Sequence, residues 1–283
     1  MKFALINNQR CEATPKTKGI CPVCNTPVIA KCGKLKAHHW AHETKQNCRN
    51  DRWETEGQWH RNWKNCFPEA WQEKIITVNG EKNIADIQTD QGLVIEFQHS
   101  HITPEEQKAR ENCYKDMIWV VDGMRLKYDF SRFQKKVQEN RKEFLKIQQN
   151  LKVFSIDFYY EVFPKNWLEC SVPVIFDFLG IENENNANLF QKYLYCLLPI
   201  KIVQPNDWSA FLFYMPRKDF IPFIKNNEWQ MFYPKLLSSI VEIQKAQERY
   251  RKQQELQQRQ NNIRMIENRI FNKYRYNKYR RRF

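Results

Sequence analysis

Glu96 stands inside Leu93-Val-Ile-Glu-Phe97, a run that otherwise reads as a buried β-strand. A carboxylate cannot sit in an apolar strand without a partner or a metal, because ionised groups are costly to desolvate. A second apolar run, Ile84 to Ile87, lies upstream, and Thr89-Asp-Gln-Gly92 separates the two. A short Gly-containing connector between β-prone stretches predicts a hairpin. On the second strand Glu96 and Gln98 are two residues apart and leave the same face. Asp86 sits on the partner strand, within reach if the register brings it opposite. Two carboxylates and a polar amide in this arrangement suit a hard divalent cation held against a phosphate.

The surrounding segments predict an α/β unit. Residues 54–65 read as a helix in which Glu56, His60 and Lys64 recur every four residues along one stripe, beside a Trp59/Trp63 stripe that docks it. Trp71 to Val78 then leads as a strand into the acidic hairpin. Beyond Ser100, Thr103-Pro-Glu-Glu106 is a helix start with an N-cap, Pro at the first helical position and a capping box. This helix carries Arg110 and Tyr114 and is expected to end near Lys115. Met117 to Val121 follows as a fully apolar strand closing at Asp122-Gly123.

Toward the N-terminus, Phe3 to Ile6 reads as a first strand. Cys21-Pro-Val-Cys24 is a C-x-x-C pair, and Cys32, His38, His39, His42 and Cys48 follow closely. Zinc takes four N or S ligands in a tetrahedron. The favoured set is Cys21, Cys24, His39 and His42, with Cys48 or His38 able to stand in for either histidine. Nine cysteines, a polar first segment and no apolar run near ~20 residues predict a reducing, cytoplasmic setting without a membrane span.

Further on, residues 131–151 read as a charged helix or linker. Residues 153–179 are aromatic and strand-like, and 199–223 hold short apolar segments broken by Pro205, Pro216 and Pro222. The aromatics fit the core of a second packing unit better than a base-stacking platform. From Leu236 the composition turns to Gln, Arg and Lys, predicting one extended helix. Residues 244–283 hold thirteen Lys or Arg against three Glu, most of the chain's net charge of +14, with Phe271, Tyr274, Tyr276 and Tyr279 interleaved. Such a segment predicts contact with a polynucleotide. The expected division is therefore 1–50 (zinc-binding module), 51–150 (catalytic core), 151–240 (aromatic-rich domain) and 241–283 (basic helical tail).

The order Cys21-x-x-Cys24, His39-Trp-Ala-His42, Glu56-x3-His60-x3-Lys64, Ala85-Asp86, Ile95-Glu-Phe-Gln-His-Ser100, Arg110-x3-Tyr114 and Ile118-Trp-Val-Val-Asp-Gly123 resembles the competence protein CoiA family. The resemblance covers about residues 1–125. It implies a restriction-endonuclease-like PD-(D/E)xK core, of mixed α/β class, behind a zinc-finger-like segment, with a role in recombination of incoming DNA. It further implies Asp86, Glu96 and the helix-borne Glu56 as ligands for Mg²⁺ or Mn²⁺, a structural Zn²⁺, and DNA and recombination proteins as partners. Gln98 occupies the place where many nucleases of this superfamily have Lys. His60 and Lys64 are expected to contact phosphate or assist proton transfer. The rival expectation is a non-catalytic nucleic-acid-binding protein with a vestigial pocket. A protein-interaction module with a basic helix is a third.

Overall fold

The structure is a computed structural model describing residues 1–33, 37–44, 48, 57–78, 80–125, 129–148, 151–180, 187–203 and 209–280. Two sheets organise residues 1–232. The first contains β1 (Phe3–Ile6), β2 (Gln9–Glu12), β3 (Lys18–Ile20), β4 (Pro27–Lys31) and β5 (His39–His42), in the order β2-β1-β3-β4-β5. Asn7 and Asn8 both take positive φ between β1 and β2, as a tight two-residue hairpin demands. Ala4, Ala13, Val28 and Trp40 form its small core together with Cys21 and Cys48.

The second sheet follows α1 (Gln58–Asn65). Its first four strands in sequence are β6 (Gln72–Val78), β7 (Glu81–Gln88), β8 (Val94–Gln98) and, after α2 (Pro104–Cys113), β9 (Met117–Asp122). After α3 (Asp129–Asn140) come β10 (Arg141–Gln148) and β11 (Leu151–Asp157). Then follow α4 (Tyr159–Val162), β12 (Val174–Asp177), β13 (Tyr193–Leu197), α5 (Ile200–Val203), β14 (Ser209–Pro216), α6 (Arg217–Lys225) and α7 (Glu228–Arg280). The order across the sheet is β10-β11-β14-β13-β12-β9-β8-β7-β6. Strands β8, β9 and β12 run parallel, and the remaining pairs are antiparallel. The protein is thus of mixed α/β class.

Two expectations change here. Strands on both sides of residue 150 belong to this one sheet, so position 150 is no boundary between separate packing units. The aromatic residues of 153–179 pack into the shared core, where Phe163, Trp167, Phe176 and Phe178 join Trp119, Val121 and Phe133. Residues 141–148, expected as helix or linker, pair with β11 instead. Strand β10 lies at the sheet's edge, and edge strands carry charge that discourages pairing with other chains. Its charges explain why periodicity alone misread it.

The predicted helix starts and turns are present. Thr103 Oγ1 accepts the Glu106 N–H at 3.2 Å at the start of α2, with Pro104 first in the helix. Gly92 takes φ +92° in the hairpin turn, where Thr89 Oγ1 accepts the Leu93 N–H. Residues 233–283 form a separate unit built on the rest of α7, whose side chains are exposed from Lys245 to Phe271. Among the described residues no helix is long and apolar enough to cross a membrane.

Candidate functional site

The hairpin of β7 and β8 builds the acidic centre by opening at one point. The ladder pairs Ile87 with Ile95 and Gln88 with Val94. Continuing that register puts Asp86 opposite Glu96, but there the two strands stop exchanging backbone hydrogen bonds. The carboxylates take over instead. Phe97 N–H donates to Asp86 Oδ2 at 2.9 Å, and Asp86 N–H donates to Glu96 Oε1 at 3.3 Å. Both acids are 1% exposed. A buried N–H must find an acceptor, so each carboxylate is pinned at the splay by its neighbour's backbone.

Helix α1 supplies the counter-charges. Its Trp59 and Trp63 pack on Phe97, with ring centroids 6.3 and 5.6 Å apart, and both indole N–H groups donate to Asp177 Oδ2. This anchorage turns the neighbouring stripe toward the acids. His60 Nε2 lies 2.9 Å from Asp86 Oδ1, and Lys64 Nζ lies 3.7 Å from the same oxygen. The His60 contact is an ion-pair approach whose angle makes no hydrogen bond, which leaves Asp86 Oδ1 and His60 Nε2 as buried atoms without a hydrogen-bond partner. Lys64 also bonds Glu73 Oε1 at 2.7 Å and is itself 1% exposed. Its charge therefore acts inside the protein on two carboxylates.

Glu73 was not foreseen. It is the second residue of β6, at φ +45°, beside Asp86 in the sheet, and accepts the backbone N–H groups of Lys2 and Phe3 at 2.6 and 2.9 Å. Nothing in its local sequence marks it, since its importance comes from the N-terminal strand arriving over it. Asp177 was also missed, although Val174-Ile-Phe-Asp177 carries the same signal as Glu96, an acid in an apolar strand.

The electrostatics separate the acids. Burial alone would raise Asp86, but the charges of His60 and Lys64 and the Phe97 N–H hold it well below the usual carboxylate range. Burial likewise opposes ionisation of Glu73, yet Lys64 and the N-terminal groups bring it down to about 2. Burial, reinforced by the Asp86 charge, pushes Glu96 up to about 8. Arg110 NH1 lies 3.1 Å from Glu96 Oε2 and draws the other way without overcoming these effects. Gln98 is buried and donates through Nε2 to the Ser100 carbonyl at 3.1 Å. Tyr114 is buried in the core cluster. Glu56 falls outside the described residues.

The fit of a cation follows from these atoms. Two carboxylates meet at one splay point, one keeps an oxygen held only by the ion-pair approaches of His60 and Lys64, and the other holds a proton that a divalent ion can displace. Asp86 and Glu96 suit a hard cation by donor type.

A second centre lies in the first sheet. Cys21, Cys24, His42 and Cys48 bring their ligand atoms within 4.8 Å of one another. A tetrahedral zinc site needs ligand atoms roughly 3.3–3.8 Å apart, so the set needs only slight contraction. Cys24 Sγ and His42 Nε2 are 3.2 Å apart. Burial works against the Cys24 thiolate, but hydrogen bonds involving Thr26, His42 and Cys48 bring it down to about 6, while burial raises Cys21. One thiolate is thus ready at neutral pH. His39 is not in this group, and Cys48 takes the place assigned to it. The reason is strand parity: His39 and His42 are three apart on β5, so their side chains leave opposite faces. His39 Nδ1 lies 2.9 Å from the Ala37 carbonyl instead. His38 also lies outside the group and accepts Arg61 NH2 through its carbonyl.

Comparison with known proteins adds three findings. A family model described as "Competence protein CoiA, N-terminal domain" matches residues 5–51. A second, "Competence protein CoiA, nuclease-like domain", matches residues 56–176. Among curated proteins the chain is similar to "Competence protein CoiA" of Bacillus subtilis (strain 168), 27% identical over 145 residues. That alignment takes in 46% of this chain and 38% of the relative. No solved structure matches. The nuclease-like match spans α1, the acidic hairpin and α2, and ends within β12.

Proposed function

The chain belongs to the CoiA family, and from that premise we infer that it is a metal-dependent DNA nuclease of the PD-(D/E)xK type, a cytoplasmic hydrolase of phosphodiester bonds acting in DNA uptake and recombination. The observation that carries the reading is the splay at Asp86 and Glu96, where two buried carboxylates replace the strand ladder and stand ready for a cation. Glu56, from the segment before α1, is the third acid in this proposal. Mg²⁺ or Mn²⁺ bound there supplies an activated water and neutralises charge on the scissile phosphate.

The chain's own groups have separate tasks. His60 and Lys64 keep Asp86 ionised, so it is an acceptor at every physiological pH. Gln98 does not titrate, so it orients water or phosphate and is no base. Glu96, once deprotonated, would be the second carboxylate to hold such a cation. Zn²⁺ at Cys21, Cys24, His42 and Cys48 is structural, because all four positions are filled by protein. The exposed cations of α7 add sequence-independent affinity for the polynucleotide.

One observation favours a binding protein with a vestigial pocket: Arg110 NH1 stands 3.1 Å from Glu96 Oε2, an oxygen that a bound cation would need. Cleavage of end-labelled DNA by the full chain, with Mg²⁺ or Mn²⁺ and then with chelator, separates the readings. Wild type should cleave only with the cation, and Asp86→Asn, checked by thermal melting for folding, should lose about 10²-fold or more. Equal residual cleavage by both proteins refutes the nuclease.

A further inference from the structure

A cavity opens on the side of the second sheet that carries Glu96 and Gln98, at the carboxyl ends of the parallel strands β8, β9 and β12. It encloses about 60 Å³ and opens to solvent, and Gln98 lines it. This is where open α/β sheets take ligands.

The lining has two characters. Phe133, Trp167 and Phe178 present buried aromatic surface. Around them are polar groups with hydrogen-bonding capacity to spare. The Trp167 indole N–H and the Asn166 amide make no hydrogen bond among the described residues. His99 Nδ1 lies 2.7 Å from Asp122 Oδ2, and Asp122 Oδ1 accepts the Met124 N–H at 2.9 Å. In the tautomer whose Nδ1–H donates to this carboxylate, His99 offers Nε2 as an acceptor from a ring held in place. An apolar void left by imperfect packing lacks such groups. A flat ring with donors and acceptors on its edge needs both characters. Arg125, exposed at the rim, adds positive charge where a backbone phosphate would pass.

We propose that this cavity is a base pocket, which receives one unpaired nucleobase from the strand whose phosphate stands at Asp86 and Glu96. The placement of that phosphate rests on the nuclease reading; the cavity's chemistry does not. A paired base cannot enter, so the substrate is single-stranded, frayed at an end, or opened by flipping.

An abasic scan tests this. A single-stranded 12-mer of mixed sequence is bound to the full-length protein in Ca²⁺, with one abasic site moved along the strand, and affinity is read by fluorescence anisotropy. One position should weaken binding about tenfold or more. Asn166→Trp, which fills the half-buried entrance, should remove that sensitivity while leaving the melting temperature near wild type. Asn166→Ala should keep it if the larger side chain prevents folding. Affinity within twofold at every abasic position overturns the proposal. So does undiminished sensitivity in folded Asn166→Trp, which places the base elsewhere. Cleavage of the same oligonucleotides in Mg²⁺ is scored separately. Cleavage with no sensitive position refutes the pocket alone, whereas a sensitive position with no cleavage refutes the nuclease alone.

Discussion

Replacing Lys64 with Met keeps the unbranched apolar stem and removes a charge shared by two buried acids. Lys64 Nζ stands 2.7 Å from Glu73 Oε1 and 3.7 Å from Asp86 Oδ1, and none of the three side chains is more than 3% exposed. Removing one partner of a buried pair typically costs ~3–5 kcal/mol, because the other charge is left uncompensated. Here the lower end applies. Glu73 keeps two backbone N–H donors, and Asp86 keeps the Phe97 N–H and His60. The expected loss of about 3 kcal/mol, with a urea slope of ~2–3 kcal/mol per M, lowers the midpoint by roughly 1–1.5 M at pH 7. The pH dependence has a definite sign. Glu73 is depressed from 4.5 to about 2, so its contribution is present above 4.5 and is lost as pH falls toward 2. Asp86 is depressed as well and behaves in the same direction. The gap between wild type and Lys64→Met is therefore full at pH 7 and narrows below pH 4.5. Urea unfolding followed by tryptophan fluorescence at pH 7 and pH 4 measures both. A midpoint shift below roughly 0.3 M at pH 7, or an equal shift at both pH values, refutes the argument.

Three further outcomes are expected. Zinc content by mass spectrometry should fall from about one per chain to near zero in Cys48→Ala and stay unchanged in His39→Ala; the reverse pattern would restore His39 as a ligand. Glu96 is raised from 4.5 to about 8, so the folded state holds its proton between these values and stability falls as pH rises across that window. A divalent cation at Glu96 should then release close to one proton at pH 7, measured by calorimetry in buffers of different ionisation enthalpy, and no release would remove Glu96 from the site. DNA affinity should fall steeply with added salt, and deleting residues 245–283 should flatten that slope; an unchanged slope excludes the tail from binding.

Much of the acidic centre was legible in the chain because its signals are local. An acid inside an apolar strand, a Gly-bearing connector and period-two alternation are enough to put Asp86 and Glu96 on neighbouring strands of one hairpin and Gln98 on the face of Glu96. The register that sets the two acids opposite came from the structure. The i, i+4 spacing of Trp59 and Trp63 predicts a docked face on α1, and with it the direction of His60 and Lys64. C-x-x-C spacing likewise identifies Cys21 and Cys24. Local pattern also overreached at β10, where the demands of a charged edge strand resemble those of a surface helix.

Tertiary structure decided what depends on distant segments meeting. Glu73 matters because the N-terminal strand donates two N–H groups to it from about 70 residues away, and no local pattern encodes that meeting. Cys48 replaces His39 because its thiol lies in the cluster while strand parity turns one imidazole away. The sequence determined which groups can carry charge and which faces are apolar. The fold determined which charges lose water together: desolvation and the Asp86 charge set Glu96 high, while the buried cations Lys64 and His60 set Glu73 and Asp86 low against that same desolvation.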